Sequence, residues 1–333
     1  MKKVINFLFL LIIFPTTLNS ENHQIFEQIE KKHLIEFKKL FKKVCSTQTF
    51  FKNLVSHSSY PVFGSKESWE RICVKIKKKK LEKDVLIKEY FQIKILSKID
   101  GKLTGYYEPK IKVSQIKTEG FSIPILKYNK KFSGMKRSEI NKQFRESDVL
   151  LWTDDKINFF FLQIQGSGLG VLENGEKIKI LYNGNNNLKY TSIGNVMIRK
   201  NLLNKKDVNL FTIKKYLRKN PDRAIDILNE NDRYIFFKIT PHKKNFPKGA
   251  FGINLIPNVS IAVDKKYYPL GIPILYKEEG SKTFKPAFAL DTGAAIKGKN
   301  RADLFTGNGK KAEKIAGMLK KKLLLYTLVP YSD

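Results

Sequence analysis

Two aspartates, Asp291 and Asp303, lie in the string DTGAAIKGKNRADLF (residues 291–305), among glycine, alanine and lysine. The apolar stretch Ala287–Leu290 runs into Asp291, so the first carboxylate stands where a buried strand leaves the core. Gly293 and Gly298 permit sharp turns or a close backbone approach to a ligand. Asp303 precedes Leu304, Phe305 and a second glycine turn, TGNG. Two carboxylates on a cleft floor can divide acid and base work, because different surroundings push their pKa values apart. Aspartate also commonly caps turns, and chemistry alone does not choose between these roles.

Other segments carry weaker signals. TGYYEP (Thr104–Pro109) sets Tyr106 and Tyr107 beside a turn. Flat rings with hydroxyl tips suit the faces and edges of sugars, although ordinary strand tyrosines, one inward and one outward, read the same. Glu108 beside them is a rival acid. QIQGSG offers the amide of Gln165 and the hydroxyl of Ser167 on either side of Gly166, which suits a neutral polar ligand. It lacks the Lys-Ser/Thr ending of a phosphate loop. Asp264, after SIAV, stands at a strand end near a barrel rim, in a structural or substrate-orienting place.

The elements that must hold these groups can be outlined. Residues 22 to about 97 read as helical and highly charged. Phe26, Ile29, Leu40, Phe41 and Val44 recur at helical spacing up to Cys45, and Trp69, Ile72, Cys73 and Ile76 mark the face of a second helix. These two cysteines suit one disulfide in an oxidising compartment; two separate buried thiols are the alternative. Lys77–Lys80 reads as a solvated helix end. From Gly101 the chain breaks into short strands and turns. NFFFLQIQGSG reads as a strand with Leu162 and Ile164 on one side, Gln163 and Gln165 on the other, stopping at Gly166. Helical spacing returns over 193–229, with Leu210, Ile213 and Leu217 on one helix and Asn220-Pro221 starting the next. YIFFKI, VSIAVD, PILY and AFALD follow as strands, then a final helix over Lys311–Lys320. Short strands at this spacing predict a small barrel rather than parallel βαβ units.

The 333 residues are 42% hydrophobic, which argues for a folded protein, and carry a net charge of +32. Such a surface attracts nucleic acid, an anionic membrane or an acidic polymer, unless the lysines are a compositional habit of the genome. MKKVINFLFLLIIFPTTLNS has the layout of a secretory signal peptide, with two lysines and then an apolar run. An uncleaved anchor is the alternative, since the region near Ser20 lacks the usual alanines. No cysteine follows the run, so a lipid anchor there is not expected. Export argues against nucleic acid. With two cysteines and four histidines, neither a metal nor a cofactor is expected.

Taken in order, GKLTGYYEP, FFFLQIQGSG, LYNGNNNLKYTSIG, NDRYIFF, VSIAVDKKYYPLGIPI and DTGAAIKGKNRADLFTGNGKKAEKIAG closely resemble the membrane-bound lytic murein transglycosylase A family. The resemblance runs from about Gly101 to Gly317. It implies a mainly β fold with α: a double-psi β-barrel domain with a second β-rich domain inserted in it, after an N-terminal helical segment. The expected division is a signal peptide at 1–20, the barrel domain at 21–108 plus 243–333, and the insert at 109–242. The implied activity is cleavage of the β-1,4 bond between N-acetylmuramic acid and N-acetylglucosamine in peptidoglycan, without water, leaving a 1,6-anhydro ring. A wall-binding protein without turnover, or a hydrolase on the same barrel, are the competing readings.

Carried over residue by residue, the resemblance makes Asp303 the catalytic acid and base and Asp291 its support. Thr104, Tyr106, Tyr107, Gln165, Gly166 and Ser167 become substrate-binding, and Asp264 joins them as an expected substrate-orienting residue from its place at the strand end. Partial burial and the charge of Asp291 are both expected to raise the Asp303 pKa. The partner is the peptidoglycan glycan strand, the protein a monomer, and its place the periplasm or outer membrane of a Gram-negative-type envelope, with membrane association through an uncleaved signal the variant. Three departures from the family pattern are Ala294 for the second glycine after Asp291, Asn183 and Asn187 in the asparagine tract, and Asp232-Arg233 before Tyr234.

Overall fold

The computed structural model describes residues 24–78, 85–95, 101–243 and 245–331; the expected leader at 1–20 lies outside these, as do Lys79 and Lys80. Helices α1 (Leu34–Cys45), α2 (Gln48–Val55), α3 (Lys66–Lys78) and α4 (Val85–Tyr90) come first. In α1, Phe37, Leu40, Phe41 and Val44 form one wholly buried stripe, and Trp69, Ile72 and Ile76 do the same in α3. Those stripes face each other, and a disulfide joins Cys45 to Cys73 with their Cα atoms 5.2 Å apart.

Helix is expected to about residue 97, but the chain turns extended at Phe91, whose ring packs against Phe41 and Trp69. This strand β1 (Phe91–Ile95) pairs with the last strand of the chain, Phe91 opposite Pro330. Tertiary pairing here overrides the local helical texture.

Twelve further strands complete two sheets: β2 (Gly101–Glu108), β3 (Lys110–Ser114), β4 (Ile123–Leu126), β5 (Val149–Thr153), β6 (Ser167–Val171), β7 (Lys177–Asn185), β8 (Ile235–Pro241), β9 (Ser260–Val263), β10 (Pro273–Glu278), β11 (Lys285–Asp291), β12 (Arg301–Asn308) and β13 (Lys320–Pro330). One sheet runs β1-β13-β10-β11-β9-β12-β2, and β13 also pairs with β2, so six strands close into a barrel. Within it β2 runs parallel to β12 and β9 parallel to β11. The barrel draws β2 from one part of the chain and five strands from much later. Between them lies the second sheet, β4-β5-β3-β6-β7-β8, with its own apolar core.

Six more helices follow: α5 (Arg137–Gln143), α6 (Lys156–Gln165), α7 (Ile193–Arg199), α8 (Leu210–Lys219), α9 (Pro221–Asn229) and α10 (Gly309–Met318). Helix α6 corrects the strand expected over NFFFLQIQGSG. Asp155 caps it, its carboxylate accepting from the amides of Ile157 and Asn158 at 2.9 Å each. At the other end Gly166 takes a left-handed conformation (φ 81°), its amide donating to the Leu162 carbonyl. The alternation of apolar and glutamine residues imitated a strand because α6 is clad on two sides. Phe159 and Leu162 enter the sheet core, while Ile157, Phe160 and Phe161 pack with α7–α9. The final helix likewise ends at Met318 rather than Lys320, because Lys320 already belongs to β13. Gly105 must be glycine: a Cβ there would sit 2.8 Å from the Ala316 backbone, where α10 lies on β2. Among the described residues, no helix is long and apolar enough to cross a membrane.

Candidate active site

Barrel alternation decides where Asp303 points. Along β12, Ala302 and Leu304 are buried in the barrel, so Arg301 and Asp303 face outward, half-buried. The parallel register sets Thr104 of β2 opposite Asp303. Outside them opens a cleft of about 1240 Å³ with walls from both sheets. Thr104, Tyr106, Asp291 and Asp303 line it from the barrel; Gln165, Ser167 and Tyr190 line it from the other side.

The Thr104 hydroxyl donates to Oδ1 of Asp303, and Nη2 of Arg301 donates to the same hydroxyl oxygen at 2.6 Å. Burial is the leading influence on Asp303 and raises its pKa above the ordinary carboxylate value. Arg301, the Thr104 hydrogen bond and Lys102 oppose that rise. Repulsion between Asp291 and Asp303 is mutual and works in the same direction as burial, which is the larger influence on Asp303.

Asp291 ends β11. Its Oδ1 accepts from the amides of Ala250 (3.0 Å) and Thr292 (2.9 Å), and its Oδ2 from the Tyr106 hydroxyl (3.0 Å). Burial raises its pKa, the three donors oppose, and repulsion from Asp303 adds to the rise. Asp291 thus caps a turn and also borders the cleft. Burial, with Asp291 and Asp303 nearby, drives the Tyr106 phenol well above its usual pKa, keeping it a neutral donor.

Gln165, Gly166, Ser167 and Asp264 all line the cleft. Asp264 nevertheless spends its oxygens on the amides of Gly298 (2.8 Å) and Lys266 (3.2 Å), anchoring the turn between the two aspartates. Tyr107 is not brought to the cleft. It lies one residue out of phase with Thr104 and Tyr106, so its ring is buried beside Ala312 and Ala316, and its hydroxyl donates to Glu313 at 2.9 Å. Only its amide serves the site, holding the Gln165 side chain at 3.0 Å. Glu108, the rival acid, is 1% exposed and locked to Lys179 at 2.6 Å, with Lys179 also donating to the Asn245 carbonyl.

The asparagine tract keeps its loop as expected. Asn187 adopts φ 63°, and buried Asn186 ties the loop to the carbonyls of Met135 and Asp232 at 2.7 Å each. Arg233 donates to the Leu188 carbonyl at 2.9 Å, so the departure at Asp232-Arg233 is accommodated. Sequence reasoning passed over Tyr190 and Arg301. Burial and the Asp303 charge raise the Tyr190 pKa, which places its phenol within electrostatic reach of that carboxylate. The signal for Arg301 was present: it is two residues from Asp303 on one strand, hence on the same face.

A closed barrel and a second sheet thus wall one cleft, with the Asp303 carboxyl, its pKa raised by burial, on the barrel side. Residues 102–238 match the family model of the MltA specific insert domain, and 259–329 that of the 3D domain. The chain is 30% identical over 345 residues to the membrane-bound lytic murein transglycosylase A homolog of Buchnera aphidicola, covering 95% of this chain and 92% of that protein. It is 32% identical to the lytic transglycosylase LtgG of Burkholderia pseudomallei, with a TM-score of 0.54 over 80% of this chain and 85% of that one. The structure of Escherichia coli MltA with bound chitohexaose shares the fold, with a TM-score of 0.75 at 20% identity over 90% and 91% of the two chains. The chain belongs to the membrane-bound lytic murein transglycosylase A family.

Proposed function

We propose that this protein cleaves the β-1,4 bond between N-acetylmuramic acid and N-acetylglucosamine in peptidoglycan and closes a 1,6-anhydro ring on the muramic acid. The observation that carries this reading is Asp303: a carboxyl group facing a long cleft, its pKa raised by burial, with one oxygen held by Thr104. Family membership supplies the substrate class, since the relative similar along 95% of the chain is named a membrane-bound lytic murein transglycosylase A homolog.

A two-carboxylate glycosidase activates water; a transglycosylase needs one group that works twice. Asp303 protonates the glycosidic oxygen as the C1–O bond breaks, and the 2-acetamido carbonyl of the substrate supports the cationic C1. Asp303, now ionised, takes the proton of the C6 hydroxyl while O6 closes onto C1 and displaces the acetamido oxygen. Asp303 ends as it began, and no water is consumed. Asp291 holds Tyr106, whose neutral hydroxyl and ring border the cleft. Tyr106, Gln165 and Ser167 orient the sugars.

We assign 21–108 plus 243–333 to the barrel domain and 109–242 to the insert, a division supported by the two separate sheets. The protein works as a monomer in the cell envelope, in the periplasm or at the outer membrane. The test is digestion of purified sacculi with product masses, run beside Asp303→Asn. Products one water lighter than reducing muropeptides are expected from the native chain, and a loss on the order of a hundred- to ten-thousandfold from the variant. Reducing products would make the protein a hydrolase, absence of products a binder, and a fully active variant would remove Asp303 from the chemistry.

A further inference from the structure

The relation between Arg301, Thr104 and Asp303 goes one step beyond the assignment of the acid. Asp303 Oδ1 accepts from Thr104, whereas Oδ2 has no hydrogen-bond partner among the described residues. A threonine hydroxyl has one proton and can point it either way. Here its oxygen is already occupied by an Arg301 N–H at 2.6 Å. Nη1 of Arg301 is itself fixed by the carbonyls of Ala302 (2.6 Å) and Lys102 (3.2 Å), so the guanidinium is held by backbone.

We propose that Arg301 is a positioning residue that selects which oxygen of Asp303 carries the transferred proton. A guanidinium N–H on one lone pair of the Thr104 oxygen leaves the second lone pair open, but it polarises the hydroxyl into a better donor and a poorer acceptor, which favours donation toward Asp303. Oδ1 is then favoured as the acceptor in both protonation states. The acidic proton is thereby biased onto Oδ2, the oxygen left free for a ligand. Without Arg301, the hydroxyl can rotate and accept the proton from Oδ1, a neutral pair of equal hydrogen-bond count but with the proton turned away from the glycosidic oxygen. The same guanidinium steadies the carboxylate formed after the first transfer.

The other groups facing Asp303 do not duplicate this role. Lys102 on β2 bears on it as a charge, its own pKa lowered by burial and by Arg301 and Lys320. Asp291 and Tyr106 are bonded to each other, and Tyr190, which lines the same cleft, feels the Asp303 charge without a hydrogen bond to it. None of these donates to Thr104.

The inference rests on Asp303 being the acid, so the assay includes Asp303→Asn as a separate arm. Sacculus digestion is followed for Arg301→Gln, Arg301→Lys, Thr104→Val, Thr104→Ser and the pair Arg301→Gln/Thr104→Val, with folding checked by thermal melting. Arg301→Gln is expected to lower kcat on the order of ten- to a hundredfold with KM little changed, and to move the alkaline limb of the pH–rate profile to higher pH. Thr104→Val should match it, Thr104→Ser should retain activity, and the double variant should lose no more than either single one. Arg301→Lys, which keeps the charge and a donor, should recover part of the loss. Additive losses, an unmoved pH profile, or a loss carried by KM alone would overturn the proposal. If Asp303→Asn remains active, the parent reading falls instead, and the two failures are distinct. Should Arg301→Gln not fold, Thr104→Val against Thr104→Ser decides by the same pH profile.

Discussion

At the scale of single residues, the role proposed for Asp303 depends on its carboxyl group being badly solvated. The pKa of Asp303 is raised in the fold relative to an unfolded chain. Its stabilising contribution is therefore complete below the unfolded carboxylate pKa, about 3.9, and is lost as pH rises through the folded value. At neutral pH the native side chain costs stability. Asp303→Asn is expected to raise Tm by roughly 2–4 °C near pH 7, with the gain vanishing toward pH 4. Melting curves across that range check it, and a lower Tm at pH 7 would contradict the role of burial. The residues on the cleft face were readable as types: Asp291, Asp303, Thr104, Tyr106 and the glutamine-glycine-serine turn. Tyr107 was not, because neighbouring residues on a strand face opposite ways, and the phase of β2 is invisible until β12 is set beside it.

At the scale of elements, α1 packs on the barrel through Phe37 stacked on Phe288 (4.6 Å), and the cross-link between Cys45 and Cys73 ties α1 to α3. The bridge closes a span of 28 residues. Replacing both cysteines by alanine should cost about 3–4 kcal/mol of stability, measured by denaturant unfolding against the oxidised chain. An unchanged midpoint would mean that the packed faces suffice. The helices over 193–229 were legible from their amphipathic periodicity, and the strands at YIFFKI, VSIAVD, PILY and AFALD fell where expected because short apolar runs bounded by turn residues mark them, although β9, β10 and β11 are buried on both faces. Helix α6 was not, because it is buried from two sides and shows no polar face; its real signals were the cap at Asp155 and the left-handed Gly166. Strand β1 was hidden for another reason, since it owes its form to a partner more than 200 positions away.

At the scale of the whole molecule, the two sheets are held in place across the cleft end by buried polar links. Glu108 of β2 meets Lys179 of β7, and Tyr107, Glu313 and Lys214 connect β2, α10 and α8. Glu108→Gln leaves the buried Lys179 ammonium without its counter-charge and should cost about 3–5 kcal/mol, while the chemistry at Asp303 persists below the new melting temperature. Lost turnover in a folded variant would revive Glu108 as the acid. The charge of +32 supplies a second expectation. Binding to sacculi should weaken steadily from 0.1 M to 1 M salt, as the screening length falls from about 10 Å to about 3 Å. Binding indifferent to salt would leave the lysines without a role at the wall.

The Asp303 carboxyl and the Thr104 hydroxyl that holds it are 199 positions apart in the chain, and the strands that carry them become neighbours only when the barrel closes. A growing polypeptide that has finished β2 and the whole insert still has no β12 to lay beside it. Such a nascent chain is catalytically blank however well its early portions have folded. On the proposed role of Asp303, an enzyme of the cell wall therefore acquires its cutting group late in its manufacture, and a chain that stops before β12 lacks that group altogether.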